Sequence, residues 1–210
     1  MTLEYKQINY QEFLGTIEPS SVGFCELAGN PVWTIRKQAD YYQLWLEQLH
    51  NNLLIDDAWV ICWVNREDIA WINLLASKFG FDTQEPGIRI RMHPTEPIKL
   101  HSSTMHPVIN YFLLLRKGKP KVNSISFINA LSDPGRAPNQ ERSIELCKQY
   151  ITVLMQADGN FIAPNCGSGN CLIAAAQLGY NAYGADILER NYMRYLERVR
   201  YLREVEHVIL

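Results

Sequence analysis

The apolar positions of this chain fall into two kinds of run that take turns along it. "VGFCELAG" (22–29) and "AWVICWV" (58–64) are short and dense, as strands covered on both faces require. "GIRIRM" (87–92) alternates like a half-buried strand, and "VINYFLLLRKGK" (108–119) is a strand with a basic exit. Helical spacing separates them. Tyr42, Leu46, Leu49 and Leu53, supported by Trp45, predict a helix over 39–54. Ile69, Ile72, Leu75, Ala76 and Phe79 predict a second over 66–81, with Gly80 as its C-cap. The remainder reads as helix 142–159, strand 160–164, a turn, helix 170–178, strand 181–187 and helix 189–203. Residues 5–18 mix polar and apolar positions up to the turn "EPSS", "DD" at 56–57 breaks the pattern, and 120–142 reads as a loop. Alternation of helix and strand over nearly the whole length predicts an α/β sandwich with a mostly parallel central sheet flanked by helices.

The sharpest local signal is "NFIAPNCGSGNCLIAAAQLGYNAYGADI" (160–187). Gly167 and Gly169 flank Ser168 where a strand turns into a helix, and glycine lets a ligand approach backbone that a Cβ would screen. Asp186 ends the following strand, where a carboxylate can accept both hydroxyls of a ribose. The stretch lacks both the GxGxxG dinucleotide fingerprint and the GK(S/T) of a phosphate loop. A tight turn packing a helix on a sheet and a nucleoside-type pocket both explain it.

With 210 residues, 47% of them hydrophobic and 20% charged, the chain suits one ordinary globular domain. It has no apolar run long enough for a membrane span and no secretory leader pattern, so a cytoplasmic, membrane-free protein is expected. Five scattered cysteines without CxxC argue for reduced thiols and against zinc. The net charge of −2 conceals a bias, because residues 88–121 hold seven basic side chains (Arg89, Arg91, Lys99, Arg116, Lys117, Lys119 and Lys121) against Glu96 alone. Such a stripe either meets phosphates or is a solvated strand end.

The segment 159–199 resembles the S-adenosylmethionine motif of the DNA amino-methyltransferases, written approximately VLDPFxGSGTTxxAAxxLGRxxxGxDxxxxYxxxAxxR. The likeness runs through the turn, the Ala-rich helix, "LG", the "YGAD" strand and the Tyr and Arg of the last helix. It implies a Rossmann-like methyltransferase fold, S-adenosyl-L-methionine as cofactor, and a cofactor site at Asn165, Cys166, Gly167, Gly169 and Asp186. The family's Asp and Phe, which help hold the methionine part and the adenine edge, align with Ala163 and Asn165. Its paired Thr align with Asn170 and Cys171.

So late a cofactor motif implies the family's permuted, beta-type order. A sheet of six or seven strands must then draw most of them from the preceding residues, with "EVEHVIL" (204–210) as a further candidate. "NYFLLLRKGKPK" resembles the family's EyxLxxxKGK, and "APNQERSIELCKQYITV" its HPTQKPxxLxxxxI segment. The catalytic tetrapeptide, (D/N/S)PP(Y/F/W), resembles "NPVW" after the strand 22–29. That implies Asn30 as side-chain acceptor for the amine, Pro31 as carbonyl acceptor, and Trp33 as the ring stacking on a base flipped from the duplex. A gapless match instead places "ELAG" or "AGNP" there, and neither suits the chemistry.

The resemblance divides the single domain into a catalytic half (1–119), a short loop in place of a target-recognition region (120–141), and a cofactor half (142–210). DNA is the implied partner, approached by Arg89, Arg91, Arg116, Lys117, Lys119 and Lys121. A loop this short implies that sequence specificity is low, absent, or supplied by a partner subunit, with a homo-oligomer as the other expected assembly. The expected activity is methyl transfer to an exocyclic amine of adenine or cytosine in DNA. The alternative is a catalytically inactive methyltransferase-like domain that serves as a binding or assembly subunit.

Overall fold

The densest apolar run explains the architecture. In the strand Leu54–Val64 (β3), Trp59, Ile61 and Trp63 face one hydrophobic cluster while Ala58, Val60, Cys62 and Val64 face another. A strand exposes alternate residues to opposite faces, so an unbroken apolar run is a strand covered on both. Its neighbour Ile109–Lys117 (β6) splits the same way, Phe112 and Leu114 against Leu113 and Leu115. The computed structural model describes residues 2–17, 22–28, 35–84, 86–91, 109–122, 130–133 and 141–207.

The remaining strands among these residues are Leu3–Lys6 (β1), Val22–Ala28 (β2), Asp82–Thr83 (β4), Gly87–Arg91 (β5), Ala130–Asp133 (β7), Asn160–Pro164 (β8) and Asn181–Ala185 (β9). They form one sheet in the order β1-β9-β8-β2-β3-β6-β5-β7, with β4 also paired to β6. Every pairing is parallel except those of β6 with β3, β4 and β5. One face carries the helices Tyr10–Leu14 (α1), Ile35–Gln48 (α2) and Ile69–Lys78 (α3). The other carries Ile144–Leu154 (α4), Asn170–Gln177 (α5) and Glu189–Glu204 (α6). In α2 the predicted stripe is real: Tyr42, Trp45, Leu46 and Leu49 are fully buried, and a π turn over Leu49–Leu53 carries the chain into β3. Gly80 closes α3 at φ 85°, as expected of a C-cap.

Five expectations need correction. The edge strand beside β9 is β1, while of the candidate 204–210 residues 204–207 form no strand, since α6 runs on to Glu204, and 208–210 lie outside the described residues. Only four residues long and half polar, β1 has too few positions to show a period. β7 lies inside the supposed loop 120–142 for the same reason. Asp56 and Asp57 do not precede β3 but belong to it, exposed at its amino end. The helix expected over 142–159 stops at Leu154, after Ser143 has capped its start by accepting the N–H of Leu146. With β1, β4 and β7 included, the described sheet has nine strands rather than six or seven.

Candidate functional site

From β8 the chain crosses through α5 to β9 on one side, and from β2 it crosses through α2 to β3 on the other. β8 and β2 are parallel neighbours whose connections run off in opposite directions across the sheet, so their carboxyl ends open a crevice. In open α/β sheets such switch points are where ligands bind. The glycine turn leaves β8 here, and Asp186 leaves β9 one residue after the Pro164–Ala185 pair.

The turn is pinned to its neighbour strand. Cys166 N–H donates to the Ala185 carbonyl (2.9 Å), and Gly167 N–H donates to Asp186 Oδ2 (3.0 Å). Asp186 Oδ1 accepts from Leu188 N–H (2.9 Å), an Asx-type turn that leads into α6, and from Asn191 Nδ2 (3.1 Å). Asp186 is only 7% exposed. A carboxylate offers about four lone-pair positions, and donors of the described residues take three of them, leaving one on Oδ2.

The two glycines play different parts. Both have left-handed backbone, φ 59° at Gly167 and 72° at Gly169. Among the described residues a Cβ at Gly167 would meet nothing within 4 Å. A Cβ at Gly169 would lie 2.6 Å from Tyr195 Cδ2 and 3.3 Å from Tyr5 Cδ2. The second glycine serves packing and the first faces the crevice. Tyr5 stacks on Tyr195 with ring centroids 4.7 Å apart, and its hydroxyl donates to the Gly167 carbonyl (2.8 Å). Burial holds both phenols protonated, Tyr195 pushed up to about 12 and Tyr5 higher still, with Cys166 and Asp186 adding to the latter. That keeps the Tyr5 hydroxyl a donor.

Behind the turn lies a polar network. Ser168 Oγ donates to Glu141 Oε2 (2.9 Å) and accepts from Arg198 Nη1 (3.1 Å), which also donates to Asn170 Oδ1. Arg194 Nη1 donates to Glu141 Oε1 (3.1 Å), and Asn170 Nδ2 to the Arg142 carbonyl (2.7 Å). On the crevice side Asn165, itself left-handed at φ 57°, donates through Nδ2 to the Tyr41 hydroxyl on α2. Ile187 and Leu188 beside Asp186 are 64% and 43% exposed, an uncovered apolar step.

The fold thus gathers Asn165, Cys166, Gly167 and Asp186, and turns Gly169 away into packing. Asn30, Pro31 and Trp33 lie outside the described residues; β2 ends at Ala28, opposite Trp63. The basic stripe is split. β5 is parallel to β2 and β3 in direction, so Arg89 and Arg91 run toward the crevice end, Arg91 opposite Asp133. β6 is antiparallel, so Arg116, Lys117, Lys119 and Lys121 sit at the opposite end. The register from Ala58–Lys117 to Val64–Tyr111 puts about 20 Å between the two ends. There Arg116 Nη2 pairs with Asp82 (2.5 Å), Lys117 Nζ donates to the His50 carbonyl (2.7 Å), and Lys119 N–H donates to Asp57 (2.7 Å). Tyr5, Tyr41, Glu141, Arg142 and Asn191 escaped the sequence reading, since their roles depend on strand pairing across the chain.

Among the described residues no His, Cys, Asp and Glu group could hold a metal, and no helix is long and apolar enough to cross a membrane. The sequence matches no protein-family model and no curated protein. Solved structures do match. M1.HpyAVI superposes with TM-score 0.76 at 15% identity, covering 93% of this chain and 98% of that one. TTHA0409 of Thermus thermophilus, complexed with S-adenosyl-L-methionine, gives 0.68 at 22% identity, covering 96% and 94%. The cytosine-N4-specific PvuII DNA methyltransferase gives 0.71 at 12%, covering 93% and 85%. At such identities likeness speaks for architecture: this chain has the Rossmann-like fold of the S-adenosylmethionine-dependent methyltransferases, in permuted order.

Proposed function

We propose that this protein is a cytoplasmic S-adenosylmethionine-dependent methyltransferase acting on an exocyclic amine of adenine or cytosine in DNA. The observation that carries the reading is the open face of Gly167 beside the buried Asp186, at the switch point where β2 also ends. These residues suit the cofactor. Asp186 Oδ2 is the acceptor for a ribose hydroxyl, Gly167 allows close approach, and exposed Ile187 offers an apolar face for a base. Asn165 and Cys166 line the turn. M1.HpyAVI, which shares the fold, has been crystallised with S-adenosylmethionine, and the PvuII enzyme is cytosine-N4-specific.

The cofactor supplies a sulfonium-bound methyl group open to in-line attack. The chain's task is then positioning. Asn30 and Pro31 accept the two amine N–H groups and favour the nitrogen as it pyramidalises, while Trp33 stacks on the extruded base. The first 119 residues carry this half, 142–210 the cofactor half, and 120–141 stand where recognition would be built. Target choice falls to a partner subunit or a second copy.

Titration calorimetry with S-adenosylmethionine tests the reading. Binding with a dissociation constant in the micromolar range is expected, and no heat of binding at millimolar ligand would rule it out.

The same reading places DNA at the carboxyl edge of the sheet. Arg89→Ala with Arg91→Ala should weaken DNA binding and flatten its salt dependence by about 0.9 per lost phosphate contact in a log–log plot. Lys119→Glu with Lys121→Glu, at the far edge, should change affinity less than about twofold on the same grounds. Filter binding across a salt series compares them, and the reverse ranking would put DNA on the other edge.

A further inference from the structure

Gly167 is held through both of its backbone groups. Its N–H donates to Asp186 Oδ2 (3.0 Å), and its carbonyl accepts from the Tyr5 hydroxyl (2.8 Å). The two partners stand at the ends of neighbouring strands, where Lys6 of β1 is in register with Ala185 of β9. The Asp186 N–H donates to the Lys6 carbonyl (3.2 Å), so three hydrogen bonds close a loop through the glycine turn and both strand ends. At its other end β1 is anchored by Thr2, whose carbonyl accepts from Ala182 N–H (2.8 Å) and whose N–H donates to Asn181 Oδ1 (2.7 Å).

A glycine at this place needs such restraint. With no Cβ, Gly167 has more backbone freedom than any other residue type would have there. The Asp186 bond fixes the N–H side of the residue, and the peptide that follows, Gly167–Ser168, is fixed through its carbonyl. The C=O and N–H of a trans peptide point in opposite directions, so the Tyr5 hydroxyl also sets where the Ser168 N–H points. The phenol itself has little room to move. It is buried, stacked on Tyr195 and 5.2 Å from the Tyr192 ring centroid. Burial holds it protonated and therefore donating, with the Cys166 thiol beside the same hydroxyl.

We propose that Tyr5 is a positioning residue of the cofactor site, whose hydroxyl orients the Gly167–Ser168 peptide before the ligand arrives. The identity of that ligand, S-adenosylmethionine, rests on the methyltransferase reading. A turn already held in its bound shape needs no ordering on binding, whereas one left free to swing must be ordered at the expense of affinity. Once the ligand is seated the two turns are alike, so Tyr5 acts on binding and not on the methyl-transfer step.

Tyr5→Phe removes the one oxygen and keeps the ring against Tyr195 and Tyr192. It should raise the dissociation constant for S-adenosylmethionine about tenfold in calorimetry, equivalent to about 1.4 kcal/mol. The rate of methyl transfer at saturating cofactor should stay within about threefold of wild type. The melting temperature should fall by only about 2–4 °C, as the loss of one hydrogen bond implies. Amide hydrogen exchange of the segment 166–169, measured without ligand, gives the second readout, and it should quicken in the variant. Affinity within about twofold of wild type would make Tyr5 a packing residue only and overturn the proposal. So would unchanged exchange of the turn, or a lower saturated rate with affinity intact. If the wild-type protein binds no S-adenosylmethionine, the functional reading fails, and the exchange measurement still decides whether Tyr5 holds the turn.

Discussion

Gly169→Ala should lower the melting temperature by roughly 9 °C, while Gly167→Ala should leave the fold nearly intact and cripple the site. At Gly169 the new methyl group would lie 2.6 Å from the Tyr195 ring, and backbone at φ 72° would carry a Cβ it disfavours. Left-handed backbone costs a non-glycine residue about 1–2 kcal/mol, and overpacking a core adds about 1–3. The total of about 3 kcal/mol gives the shift above, at about 2–4 °C per kcal/mol in a domain of this size. At Gly167 only the first term applies, because no atom of the described residues lies within 4 Å of the added methyl. That methyl would project into the crevice, so S-adenosylmethionine affinity should fall at least about tenfold, a loss of about 1.4 kcal/mol. Melting curves and calorimetry on the two variants form a crossed test. Equal behaviour would mean that the turn has no ligand-facing side.

Asp186→Ala should be the most damaging single change to the site. Three donors converge on this carboxylate: Gly167 N–H, Leu188 N–H and Asn191 Nδ2. Leaving buried donors without a partner costs about 1–3 kcal/mol each where water cannot enter, so about 3 kcal/mol in total is expected at this partly accessible rim. The acceptor for the ribose goes too, and binding should become undetectable at millimolar ligand. Asp186→Asn is the informative companion. Its Oδ1 still serves Leu188 and Asn191, but its amide would face the Gly167 N–H, donor against donor. Stability should recover by more than half while binding stays lost. Binding retained in both variants would remove Asp186 from the cofactor site.

Sequence alone carried much of this and stopped at identifiable points. β3, β6 and α2 were legible because their buried positions are numerous and periodic, and the packing obeys the period. β1 and β7 were not, because four residues paired near the rim of a sheet show no more pattern than a loop. The glycine turn and Asp186 could be paired from spacing along one strand–helix–strand unit. The different fates of Gly167 and Gly169 could not, since Tyr5 reaches the turn from 162 residues away in the chain. The basic stripe shows the opposite failure. Its residues are close in sequence, yet the antiparallel course of β6 carries Arg116 to Lys121 to the other end of the sheet. Charge counted along a chain does not reveal which edge it will occupy.

If the glycine turn and Asn30 serve one methyl-transfer site, a single measurement reaches it. DNA incubated with tritiated-methyl S-adenosylmethionine and the protein should acquire label on an exocyclic amine, and Asn30→Ala should abolish the transfer. Cofactor binding with no label entering DNA of any sequence, or transfer that survives Asn30→Ala, would show that they do not.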